Sequence, residues 1–352
     1  MFFVGDIAVP IGAWKSLPEI NDHFSNNSVI ANLEGAIVLE EGVPRGTSLY
    51  NDGAVLAYLR RNNVRLVSLA NNHITDFNRS PRTTIDALKK YGVLSCGAGE
   101  SLKEASSPVL LKDQEGDVVF LGFGWDTIGC RIASTQRPGV NPLERGSVLD
   151  GIRKATTIFS GKPIVLLMHW NYELELYPQP MHRQIAYMAI EHGVSAVIGC
   201  HSHCVQGIEI YQGCPVVYGL GNWFLPEGMV FGRNLRFPDF ALRQLAFEWA
   251  PSTPRKMKCH WFAYNRETKS VDFEMSEDLR DSVKMEELTP FAGMNHRDYV
   301  KWFKEHRRKK LLLPIYENSN SHLINKIKNM WVKSRHFLIS TAVTANWKSE
   351  LR

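Results

Sequence analysis

The sequence predicts a layered α/β fold, and three observations carry that expectation. Short β-rich apolar runs alternate with stretches of helical spacing over the first two-thirds of the chain. Several helical stretches stop just before a glycine, the residue that most readily takes the left-handed conformation ending a helix. Polar residues able to hold a metal recur where the apolar runs end.

Taken in order, the run at residues 2–4 is followed by Asp6, and the run at 28–31 by Asn32 and Glu34. A helical pattern over 52–61 leads to a strand at 64–69, which ends in Asn71, Asn72 and His73. A helix is expected over 83–91, before Gly92, then a strand at 118–123 and a helix over 143–159. The strand at 164–168 runs into His169, a helix over 181–192 stops at Gly193, and the strand at 195–198 precedes His201 and His203.

After His203 the pattern becomes a β-meander at 205–211, 216–220, 244–249 and 260–264, separated by Gly and Pro turns. A second sheet packed on the first is expected from it. Beyond about Ser276 the strand signal fades, and helices are expected over 297–310 and from Leu323 to about Phe337. The expected organisation is a catalytic domain over 1–275 and a basic, mostly helical extension over 276–352.

Composition narrows the function classes. With 44% hydrophobic and 22% charged residues in 352, the chain is neither disordered, collagenous nor a disulfide scaffold. The first residues lack a basic region, a long apolar stretch and a cleavage site, so a cytoplasmic location is expected. No stretch reaches the roughly 18 apolar residues of a spanning helix. The six cysteines form no CxxC pair and read as buried thiols, with a soft-metal site at Cys200 and Cys204 as the alternative. The net charge of +5 is concentrated from Lys301 onward, where 12 Lys and Arg residues face three Glu.

Five strand ends each delivering an oxygen or nitrogen ligand suit two cations better than one. Carboxylate, asparagine and imidazole fit Mn, Fe, Zn or Mg, and the number of candidates exceeds the three or four protein ligands of a single zinc. Two divalent metal ions sharing one carboxylate are therefore expected.

The segments GDI, NLEGAI, SLANNHITD, MHWNYELELYPQP, IGCHSHCVQGIEIY and VVYGLGNWF, in this order, resemble the CapA family of capsule and poly-γ-glutamate synthesis proteins, which is part of the calcineurin-like metallophosphatase superfamily. The likeness runs from Gly5 to about Phe224. It implies a four-layer α/β/β/α sandwich of two mixed sheets. It also implies that Glu34 bridges the metals, with Asp6 and His203 on one ion and Asn72, His169 and His201 on the other. His73 would contact the substrate and protonate the leaving group, with Asp76 orienting it.

Two departures stand out. The superfamily's Asp-x-His is here Asp6-Ile7-Ala8, which leaves one ion an imidazole short, and Asn171 replaces the glycine that usually follows His-Trp, a change expected to narrow or re-polarise the pocket. The substrate contacts expected around the metals are Asn32, Arg45, Tyr172, Glu173, Glu175 and Asn222, with Arg82, Gln206 and Arg243 as further candidates.

Three functional readings follow. The first is hydrolysis of a phosphoester on a phosphate-bearing or polyanionic substrate, by water activated between two cations roughly 3.5–4 Å apart. The second is processing of a surface polymer, such as cleavage of a glutamyl amide. The third is a non-catalytic capsule-assembly partner that retains the fold and binds a polyanion. The basic tail, with Arg307-Arg308-Lys309-Lys310 and the helix bearing Lys326 to Arg335, suggests peripheral attachment to the inner face of a membrane through Trp331, Phe337, Leu338 and Ile339. No specific nucleic acid is expected, and the sequence leaves the oligomeric state open.

Overall fold

The computed structural model describes residues 1–13, 27–39, 49–77, 79–231, 233–308 and 313–344. Its scaffold is built from strands whose faces alternate. In β1 (Phe2–Ile7), Phe2 and Val4 join the core shared with the helices, whereas Phe3 points between the two sheets. The same period of two recurs in β2 (Val29–Leu33), where Ile30 faces inward between Val29 and Ala31, and in β3 (Val64–Ser68), where Leu66 faces inward while Val67 faces the helices. Helices α1 (Val55–Arg61) and α2 (Arg82–Lys90) join these strands to each other and to β4 (Leu94–Cys96) by parallel crossovers.

The chain then begins a second sheet. It comprises β5 (Val109–Leu111), β6 (Val118–Gly124), β7 (Ile164–His169), β8 (Ala196–Cys200), β9 (Ile208–Tyr211) and β10 (Cys214–Val217), in the order β9-β10-β8-β7-β6-β5. Helices α3 (Arg145–Ile158) and α4 (Pro180–Glu191) are the crossovers on either side of β7. Phe120, Val165, Leu167 and Ile198 of this sheet meet Phe3, Ile30 and Leu66 of the first in one inter-sheet core. The result is the expected α/β/β/α layering of two mixed sheets.

The first sheet is completed late in the chain. Strand β11 (Asn222–Phe224) pairs in parallel with the end of β1, and β12 (Arg243–Glu248) pairs antiparallel with its start. Strands β13 (Lys258–Asn265) and β14 (Ser270–Asp278) extend that edge, giving the order β14-β13-β12-β1-β2-β3-β4. The expected meander sheet is therefore corrected. Its first two runs close the sheet nucleated by β6, β7 and β8, and its last two return to the sheet of β1. Apolar alternation records that a strand has a buried face, but not which of two sheets supplies the cover.

Close backbone approach explains the glycine before the first aspartate. A Cβ on Gly5 would lie 1.9 Å from the carbonyl oxygen of Gly221, so only glycine lets β1 and the start of β11 meet where Asp6 emerges.

The C-terminal segments pack on the core. Strand β14 runs across position 275, and in α5 (His296–His306) the buried Tyr299 donates to the Pro178 carbonyl at 2.6 Å. The segment after residue 313 is tied to α4, with Met181 N–H donating to the Tyr316 carbonyl at 2.8 Å and Tyr316 N–H to Gln179 Oε1 at 3.0 Å. The last helix, α6 (His322–Thr344), lies against the loop after β6, where Lys333 pairs with Asp126 at 2.7 Å. Lys309, Lys310 and the side chains of Phe337 and Ile339 lie outside the described residues.

Candidate metal centre

The candidate metal-binding side chains come from the carboxyl ends of strands in both sheets, rather than from one open sheet. Asp6 ends β1, Asn32 and Glu34 end β2, and Asn72 and His73 follow β3, while His169 closes β7 and His201 and His203 follow β8. Both sheets thus present their polar ends along one edge, where the loops leave the layers.

Two groups of possible ligands form there. One contains Asp6, Glu34 and His203 and the other Glu34, His169 and His201; in each, the ligand atoms lie within 4.8 Å of one another. Glu34 is common to both. It is fully buried, and neither carboxylate oxygen has a hydrogen-bond partner among the described residues. Such a group is costly unless paired or coordinated, so the donor set fits divalent cations on this observation alone.

The electrostatics agree. Burial pushes the Glu34 carboxyl up to about 7, against the opposing pull of His203. Burial holds His201 down at about 3 and His169 well below the usual imidazole range, so both are neutral and ready to coordinate. For His203 burial acts downward, but the charges of Glu34 and Asp6 outweigh it and raise the imidazole to about 9. The ligand side chains of Asp6, Glu34, His169, His201 and His203 are buried, Asn72 is half-buried, and Glu34 and His203 attract each other electrostatically.

Hydrogen bonds fix the orientation of the ligands. Asn32 donates to Asp6 Oδ1 at 2.7 Å, and the backbone N–H of His201 donates to Asp6 Oδ2 at 3.2 Å. His203 Nδ1 lies 2.8 Å from Asn222 Oδ1, which leaves Nε2 facing Glu34 Oε1 at 3.8 Å. Asn72 Oδ1 meets His169 Nε2 at 2.9 Å. The histidines sit on a strained turn, with φ of 91° at His201 and 53° at His203, a conformation that costs on the order of 1–3 kcal/mol for each non-glycine residue.

His73 stands at the mouth of this centre. Its side chain is 19% exposed, its Nδ1 lies 2.8 Å from Asp76 Oδ2, and its Nε2 lies 3.9 Å from Glu34 Oε1. Asp76 thereby holds the ring with Nε2 turned towards Glu34.

The expected substrate contacts divide into several groups. Glu173 is half-buried and its charge acts on Glu34, His201 and His203, so it faces the centre. Asn32 and Asn222 instead hold metal-ligand candidates, because their amides are engaged with Asp6 and His203. Tyr172 and Glu175 are corrected: both are buried behind the loop. The Tyr172 hydroxyl donates to the Pro314 carbonyl at 3.2 Å, and Glu175 Oε1 accepts the Arg308 N–H at 2.8 Å. Arg45 lies outside the described residues. Arg82 pairs with Glu104, Gln206 is buried against the Glu175 carbonyl, and Arg243 lies over Trp261.

Asn171 also departs from expectation. It takes φ of 67°, a left-handed conformation that asparagine tolerates, and its side chain points into the core. Its Oδ1 accepts the Gln179 N–H and lies 2.8 Å from His182 Nδ1, so it braces the loop and does not line the pocket. Ala8, at the missing histidine, packs with Leu174, Phe231 and Phe237 in a small apolar cluster. The six cysteines are free thiols, and none joins either ligand group.

Two further residues support these side chains, Asn71 at the strand end already marked in the sequence and Asn51 away from any motif. Asn71 holds the Gly35 and His73 backbone N–H groups on its Oδ1 and donates to the Leu33 carbonyl at 2.8 Å. Asn51 donates to the carbonyls of Glu34 and Gly35 and accepts from Val9 N–H. Asn71 was visible as the neighbour of Asn72, whereas nothing local marks Asn51.

A two-sheet sandwich with a buried carboxylate–imidazole centre at its strand ends defines the class as a layered α/β protein whose side chains could hold divalent cations. The family model described as "Bacterial capsule synthesis protein PGA_cap" matches residues 2–226, and the chain belongs to that family. It is 28% identical over 181 residues to the capsule biosynthesis protein CapA of Bacillus anthracis, covering 51% of this chain and 44% of that protein. It is 24% identical over 291 residues to the PGA biosynthesis protein CapA of Bacillus subtilis (strain 168), covering 79% and 75% of the two chains. The chain thus spans less than half the length of the first relative. Among solved structures, the 5'-nucleotidase precursor from Thermus thermophilus aligns with a TM-score of 0.38 and 11% identity, over 79% of this chain and 53% of that one.

Proposed function

We propose that this protein is a dinuclear-metal hydrolase that cleaves a phosphoester in the metabolism of a capsule or other surface polymer. The observation that carries the proposal is Glu34, a buried carboxylate shared by two ligand groups, neither of whose oxygens accepts a hydrogen bond among the described residues. Asp6 and His203 would hold one ion, with Asn222 orienting the His203 ring, and His169, His201 and Asn72 would hold the other. Divalent ions held there, Mn, Fe, Zn or Mg, would supply an activated water and stabilise charge on the phosphoryl and leaving oxygens. His73 then gives a proton from Nε2 to the leaving oxygen, and Asp76 keeps the ring aligned for that transfer. Glu173, facing the same space, disfavours bulky anions on its side and limits how a polyanionic substrate can lie.

The names of the relatives favour a second reading, in which the same centre polarises a glutamyl amide of a poly-γ-glutamate chain. Elemental analysis of wild type and His201→Ala, with turnover of a chromogenic phosphodiester and of a γ-glutamyl amide after Mn²⁺ addition, tests both. About two metals per chain and phosphodiester turnover lost in the variant support the proposal. Amide turnover alone selects the second reading, and a metal-free, inactive wild type leaves a polyanion-binding protein.

A further inference from the structure

Helix α6 is docked back to front. Its polar residues face the protein: Lys328 donates to the Ile315 carbonyl at 2.7 Å, Asn329 Oδ1 lies 2.7 Å from both the Thr127 and Tyr316 hydroxyls, and Lys333 pairs with Asp126. Among its described side chains, Val332 is the apolar one it buries. The other large apolar side chains described face outward, with exposures of 73% at Leu323, 54% at Ile324 and Ile327, 55% at Met330 and Trp331, and 67% at Leu338. At 3.6 residues per turn these six fall within an arc of about 120°. An outward apolar stripe of this extent is not left bare on a soluble surface without a partner.

The charge around the stripe identifies that partner. The 23 residues of α6 contain no Asp or Glu, whereas Lys326 and Arg335 flank the stripe on its two sides, with Lys328 and Lys333 beyond them engaged by the Ile315 carbonyl and Asp126. On one flank the helix borders a cavity of about 470 Å³ lined by Arg145, His322, Lys326 and Lys333, with Asp126 and Glu144 as its acidic members. An apolar face edged by cations, with a tryptophan on the stripe, matches the boundary between acyl chains and anionic headgroups. A second copy of the helix would bring the same positive charge against itself. No helix among the described residues is long and apolar enough to cross a membrane, so the helix would lie in the surface.

We propose that α6 seats the protein on an anionic lipid surface, apolar stripe downward. The seating would also orient the metal centre. Helix α6 grips the loop 126–128, and Trp125 at its start donates its backbone N–H to the His169 carbonyl at 3.0 Å. This inference is independent of the reaction proposed above.

The test is vesicle flotation of the full chain with phosphatidylcholine alone and with equal parts of phosphatidylcholine and phosphatidylglycerol. Wild type should float with the anionic vesicles only, and binding should weaken as salt is raised. The triple variant Leu323→Ser, Ile327→Ser, Met330→Ser should lose partitioning by about a hundredfold or more, and Lys326→Glu by roughly tenfold. Both sets of side chains are exposed, so the melting temperature should hold, which separates lost binding from lost folding. Flotation of wild type with neither vesicle, or equal flotation with both, overturns the proposal. So does a dimer in light scattering that the triple variant converts to monomer.

Discussion

Glu34 Oε1 lies 3.8 Å from His203 Nε2 in a space closed to solvent, and neither Glu34 oxygen accepts a hydrogen bond among the described residues. A carboxylate so placed destabilises the fold unless a proton or a cation compensates it. Glu34→Gln should therefore lower metal affinity by more than about a hundredfold while leaving the metal-free protein as stable as wild type or more so. Calorimetric titration with Mn²⁺ and thermal melts of the metal-free forms check both halves. A metal-free variant much less stable than wild type would show that Glu34 holds the fold by itself.

The same groups set a pH dependence. Glu34 and His203 both have folded values, about 7 and about 9, above their ordinary 4.5 and 6.5. Their protonated forms stabilise the fold, fully below the ordinary value, and that contribution is lost as pH rises through the folded one. His201, held near 3 against an ordinary 6.5, contributes in the opposite sense: its stabilisation is present above 6.5 and lost as pH falls towards 3. The metal-free protein should thus lose melting temperature between pH 6.5 and 9. Cations displace those protons, so the gap between metal-loaded and metal-free melting temperatures should widen over that interval. A gap that stays constant with pH would rule out protons and metal competing for one site.

His73 and Asp76 separate chemistry from metal binding. If His73 gives the leaving group its proton, His73→Ala should lower kcat by about 10²–10⁴ with metal content unchanged. Asp76→Asn should cost roughly tenfold, the scale of one hydrogen bond. A His73→Ala protein that has lost its metal would instead make His73 a ligand.

Asn222 is the test of positioning. Its Oδ1 accepts from His203 Nδ1, and removing it frees the ring to turn. Asn222→Ala should weaken metal binding about 10–100-fold. Turnover at saturating metal should recover most of the wild-type rate, whereas a substrate contact would raise KM and leave metal affinity untouched.

Much of this site was legible in the chain. Asp6, Glu34, Asn72, His169, His201 and His203 each follow an apolar run, because a strand's backbone must leave the layer before its polar end can reach solvent or a ligand. What those residues share could be read from type and spacing, and the resemblance supplied the pairing. Tyr172 and Glu175 misled because they adjoin the motif, and adjacency along a loop says nothing of which side of it faces the cleft.

The sequence by itself marked the central strands, the crossover helices and the candidate ligand types, since periodicity, glycine stops and donor type are local properties, whereas β4, β5, β11 and β14 showed no such pattern. Tertiary structure decided the rest. It sent residues 243–278 back to the sheet of β1, buried Glu34 without a hydrogen-bond donor, and turned α6 so that its polar side faces the protein. Each of these depends on which surface covers which, and burial between distant segments is set by packing that no local pattern encodes.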